Sequence, residues 1–138
     1  MRSDQIKDRS GELLAIIIRN DRPPPGTCFF THPSDELQVG VMLHPKGHVI
    51  AAHTHNPDAR AITRTSEVLY IKRGSVRIDF YGVEMDETCS YLVGSLVLAS
   101  GDLVILLSGG HGLEMLAETE IIEVKQGPHL NDKVPLAP

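Results

Sequence analysis

The chain contains no tryptophan, and aromatic residues make up only 4% of its 138 residues. That scarcity argues against a large stacked cofactor and against an aromatic platform for sugars. Cysteine is nearly missing too: Cys28 and Cys89 are too few for a disulfide framework and have no CxxC spacing. Both are expected as free thiols, in a reducing cytoplasm. No apolar run approaches the length of a membrane span, and the opening MRSDQIKDRSGE lacks the apolar core of a secretory signal. Cationic excess is absent as well, since the formal net charge is −5, and this leaves no broad footprint for nucleic acid. The GxxxxGK[ST] phosphate loop, the dinucleotide fingerprint and a Ser-His-Asp order are likewise not found. What remains is one domain, residues 1–138, expected to take a small-molecule ligand, without nucleic acid or membrane as partner.

What the chain has in abundance is short apolar runs separated by turn residues. Strands are expected at Leu13 to Ile18, Thr27 to Phe30, Leu37 to Leu43, Val49 to His55, Glu67 to Ile71 and Ser75 to Tyr81. Further strands are expected at Tyr91 to Ala99, Leu103 to Leu107, His111 to Leu116 and Glu120 to Lys125. Pro45-Lys46-Gly47, Arg73-Gly74, Ser100-Gly101-Asp102 and Gly109-Gly110 punctuate them. No segment carries a 3.6-residue apolar stripe, so the fold class is all-β, an antiparallel sandwich or barrel. The polar stretch at 56–66 reads as a loop or strand-edge excursion, and the tail after Gln126 is loop-like.

The stretch from Gly47 to Gly74 holds the chemistry. His53 and His55 stand at i and i+2, which on an extended strand puts both imidazoles on one face. Glu67 opens the next apolar run, and His111 follows the glycine turn Gly109-Gly110. Two imidazoles and a carboxylate converging from neighbouring strands outline a divalent-metal site, and His111 would complete a set of three nitrogens and one oxygen. Fe, Mn, Ni, Co and Zn all tolerate such a set, so the residues do not choose the metal.

At these residues the chain resembles the cupin superfamily. Gly47, His53, His55, Glu67 and Gly74 stand where the first cupin motif has its glycine, HxH, glutamate and closing glycine. Gly101-Asp102 and Gly109-Gly110-His111 match the second motif. The spacer between His55 and Glu67 is longer than the commonest form. Leu107 replaces the usual proline, only Gly110 separates Gly109 from His111, and the terminal asparagine is missing. The GGHGLEML and EVKQGP segments also look like those of small bacterial cupins associated with surface-polysaccharide genes. The resemblance implies a double-stranded β-helix (jelly-roll) barrel and one divalent metal on His53, His55, Glu67 and His111. It also implies a homodimer, for which Leu13 to Ile18, taken as an edge strand, is the candidate interface or outer closing strand.

The implied function is a small metal-dependent enzyme of dioxygenase, isomerase, epimerase or lyase type, acting on a polar metabolite. A non-catalytic small-molecule-binding or sensing cupin is the alternative, as is a metal-free sugar-modifying enzyme with one histidine as base. Other titratable residues read more plainly. His44 and His48 flank a turn, His32 lies in a loop and His129 in the tail. Glu114 has the wrong parity to join His111. Glu123 and Lys125 share a face as an ion pair. Tyr70 and Tyr81 read as packing residues.

Overall fold

The computed structural model describes residues 2–53, 55, 62–83, 90–126 and 135–136. Cys89, His129, residues 56–61 of the polar excursion and most of the tail lie outside the described residues. The described chain is built of antiparallel strands: β1 (Ser3–Lys7), β2 (Leu13–Ile18), β3 (Gly26–Phe29), β4 (Gly40–Leu43), β5 (Glu67–Arg73), β6 (Ser75–Val83), β7 (Ser90–Ala99), β8 (Leu103–Leu106), β9 (Gly110–Met115) and β10 (Glu120–Lys125). They form a five-stranded sheet in the order β1-β2-β8-β5-β10, a three-stranded sheet β7-β6-β9, and the pair β3-β4. No helix among the described residues is long and apolar enough to cross a membrane.

Alternation explains how the two larger sheets meet. Ala15 and Ile17 of β2, Leu69 and Ile71 of β5, and Val104 and Leu106 of β8 share one face of the larger sheet. They pack on Val76, Ile78 and Phe80 of β6 and Leu98 of β7, and this is the main core. The opposite face carries Ile16, Ile18, Val68 and Ile105, which are covered by Phe30, Leu37 and Val39 from the chain joining β3 to β4. A strand buried on both faces reads as a continuous apolar run rather than an alternating one, and Leu13–Ile18 is such a run.

Two expectations need correction. β2 is not an edge strand: it pairs with β1 on one side and β8 on the other, so it closes the sheet from within. The true edge is β1, whose SDQIK sequence shows only Ile6 to the core. Residues 49–53 are not in a strand. Val49 is 80% exposed and Ile50 is exposed beside it, so the short apolar run there joins no ladder among the described residues.

Glycine sets the corner between β5 and β6. Gly74 has φ +92°, and a Cβ built there would run into the backbone carbonyl of Glu118 and the Cα and hydroxyl of Thr119. The neighbour is largely backbone and cannot give way. Gly74→Ala is therefore expected to cost about 2–4 kcal/mol, read as a lower urea midpoint at unchanged slope. A change below about 0.5 kcal/mol would show that the corner relaxes freely.

Candidate functional site

Glu67 begins β5 two residues before Leu69, so it shares the core-facing side with Leu69 and Ile71. On the opposing sheet, His111 pairs with Phe80 across β6 and β9, as Leu113 pairs with Ile78 and Met115 with Val76. Cross-strand partners share a face, and His111 therefore looks inward as well. Gly109, at φ +67°, turns the chain into β9, and a Cβ there would strike the carbonyl of Tyr81 and a methyl of Leu14.

The two sheets thus bring distant residues together. His111 Nε2 lies 3.4 Å from Glu67 Oε2, with the two side chains 31% and 18% exposed. Two donors each about 2.1 Å from one tetrahedral ion are about 3.4 Å apart, so the separation suits joint ligation. Ser66, the residue before Glu67, donates its N–H to Gln126 Oε1 at 2.6 Å, which ties the start of β5 to the end of β10. Glu36 holds the chain just before, accepting from the amide and hydroxyl of Thr63 and the amide of Arg64. The Thr63 hydroxyl, then the Thr63 amide, keep the Glu36 carboxyl below its ordinary range.

His53 and His55 form a second pair, edge to face, with ring centroids 5.1 Å apart and planes at 77°. Both are exposed. His53 Nδ1 lies 2.8 Å from the carbonyl of Ala51. A carbonyl only accepts, so Nδ1 carries the proton and Nε2 keeps its lone pair free for a ligand. The four expected ligands therefore come as two pairs. Among the described residues, no group of three or more His, Cys, Asp or Glu side chains is close enough to hold a metal ion.

The other histidines go elsewhere. His44 and His48 stack in parallel across the Pro45-Lys46-Gly47 turn, with centroids 4.0 Å apart, and His32 caps its own loop through Ser34 and Asp35. Glu114 faces away from His111 and binds Arg77 at 2.8 Å. Cys28 is half-buried and free. A separate depression of about 480 Å³ is lined by Arg2, Asp4, Arg19, Asn20, Asp21 and Asp102. Its charges are paired with one another: Arg2 meets Asp21 at 3.1 Å, and Arg19 bridges Asp4 and Asp102. That network braces the ends of β2, β7 and β8.

One contribution to the Glu67 neighbourhood is not legible in sequence. β10 pairs with β5 so that Lys125 stands directly across from Glu67 and Glu123 across from Leu69. Both point to the inner side, because Ile121 of the same row packs on the core. The only sequence signal was that Glu123 and Lys125 share a face. Compared with protein-family models, with curated proteins and with solved structures, the chain shows no match in any of the three.

Proposed function

We propose that this is a cupin-type protein that binds one divalent transition metal, with Glu67 and His111 as the preassembled half of the site and His53 and His55 as the other half. The observation that carries this reading is the 3.4 Å approach of Glu67 and His111 from opposite sheets. A carboxylate and an imidazole brought together from two sheets, at a separation that suits one ion, form half of a ligand set. The free Nε2 of His53 supports the second half. The inward side of β9 supports it too: Leu113 and Met115 stay exposed and β9 is the last strand of its sheet.

In this reading the segment that carries His53 and His55 pairs along β9, closing the barrel and turning both histidines inward by alternation. A bound ion supplies Lewis acidity toward a ligand oxygen or, with Fe(II), redox chemistry on a polar metabolite. The chain's own part is to orient the ion's ligands and to keep the inner side apolar beyond them. Without metal, the same pair is a carboxylate-oriented imidazole, which serves as a base.

The test is elemental analysis of the untagged protein and of His53→Ala after reconstitution with Fe(II), Mn(II), Ni(II), Co(II) or Zn(II). About one equivalent is expected in the wild type and a clear deficit in the variant. Amide exchange at residues 49–53 should slow on metal addition, reporting the new ladder. If no ion is retained by the wild type, the metal reading fails; activity that survives chelation would then favour the histidine base.

A further inference from the structure

The space between the sheets turns from apolar to ionisable at one end, and three strands make the change together. Along β5 the inward row runs Ile71, Leu69, Glu67; along β10 its registered partners run Ile121, Glu123, Lys125. On β9 of the facing sheet the row runs Met115, Leu113, His111. The Lys125 side chain is 26% exposed, so its stem is largely covered on the inner side. Its partner is Glu123, at 3.3 Å and 49% exposed. So open an ion pair is worth little and exchanges readily for another anion.

Among the described residues β9 and β10 are each the outermost strand of their sheet, the exposed Leu113 and Met115 supply an apolar flank, and Leu136 of the tail lies against Gly110 beside His111. Gln126, next along the chain, has a buried Nε2 with no acceptor among the described residues, a second donor at this end of β10. The ligand-binding end thus offers a cation beside a carboxylate–imidazole pair.

The geometry points to Lys125 as the anchor for the carboxylate of a small ligand whose other end reaches Glu67 and His111. The inference rests on the metal-binding reading above. A carboxylate fits better than a phosphate, because the cation is one ammonium point charge rather than a guanidinium fork or a cradle of backbone amides.

The test uses the Co(II)-loaded protein, titrated with malonate and pyruvate and with the neutral malonamide, in wild type, Lys125→Met and Lys125→Arg. The visible Co(II) spectrum reports the metal, and ligand-observed NMR reports the carboxylate. Wild type should bind a carboxylate and ignore the amide. Lys125→Met should keep its Co(II) spectrum yet bind the carboxylate about tenfold or more weakly, with partial rescue in Lys125→Arg. Equal carboxylate affinity in wild type and Lys125→Met, or no carboxylate binding by wild type, overturns the inference. Failure of Co(II) to bind is a different result, which removes the metal reading alone. Carboxylate binding to the metal-free protein, compared between wild type and Lys125→Met, then decides the role of Lys125 by the same criterion.

Discussion

Replacing Asp102 by alanine should unfold this protein about 3–4 kcal/mol more easily, without touching the end where Glu67 and His111 meet. Asp102 is the acidic half of the Gly101-Asp102 turn, and its side chain is 12% exposed. Its Oδ1 accepts the backbone N–H of Asn20 at 3.1 Å, and its Oδ2 accepts the N–H of Ala99 at 3.0 Å and Arg19 Nη1 at 3.1 Å. The main chain of the same residue accepts from Ile71 N–H at 2.9 Å. One carboxylate therefore joins the ends of β2 and β7 to the start of β8. Alanine leaves two backbone donors and a guanidinium without their acceptor, and each orphaned group carries its own desolvation cost.

Asparagine at the same position is not a mild substitute. Its oxygen can replace Oδ1, but its NH₂ group then faces the Ala99 amide and Arg19, donor against donor. Asp102→Asn should accordingly lose about 2–3 kcal/mol, more than half of the alanine effect. Urea unfolding at neutral pH measures both; a loss under about 1 kcal/mol in either variant would mean that water replaces the carboxylate at little cost. Metal uptake, measured on the same preparations, should be unchanged.

How much of this could be read from residues alone follows from what each signal depends on. β2 and β10 lie where their apolar runs end, and β5 to β9 start within one residue of expectation, because glycine turns such as Gly74 and Gly109 fix the chain direction locally. β1 was not legible. An edge strand with one inward residue, Ile6, and charges elsewhere has no alternating signature. The run Leu37 to Leu43 ladders only over Gly40–Leu43, since Leu37 and Val39 serve instead as cover for the outer face. Residues 49–53 show the reverse error: a short apolar run reports that a segment can be a strand, not that a partner edge is beside it. For the site, Glu67 and His111 were expected as ligands of one metal, and they approach to 3.4 Å from different sheets. Lys125 reads in sequence only as the ion-pair partner of Glu123; its place opposite Glu67 depends on the β5–β10 register, which includes a shift between Glu120 and Ile121.

Glu67 should behave in the opposite way to Asp102, and the contrast separates function from folding. Its carboxylate is enclosed beside Leu106 and Leu69, and among the described residues its polar contact is the long 3.4 Å approach to His111. A charge held there contributes little to folding, because the weak pair offsets at most part of its desolvation. Glu67→Leu is expected to change the stability of the metal-free protein by less than about 1 kcal/mol, in either direction. Metal affinity should move far more. Removing the only oxygen ligand of the proposed set should weaken binding by at least about 100-fold, the upper range for changes that merely touch a ligand's surroundings. Glu67→Gln, which keeps the shape and removes the charge, should approach the same loss. Competition titration with a chelating dye gives the affinities, and urea unfolding in the presence of chelator gives the stabilities. Near-native metal affinity in both variants would remove Glu67 from the ligand set. A collapse of the metal-free fold in Glu67→Leu would instead make the Glu67–His111 pair a brace between the sheets, with the function to be sought elsewhere.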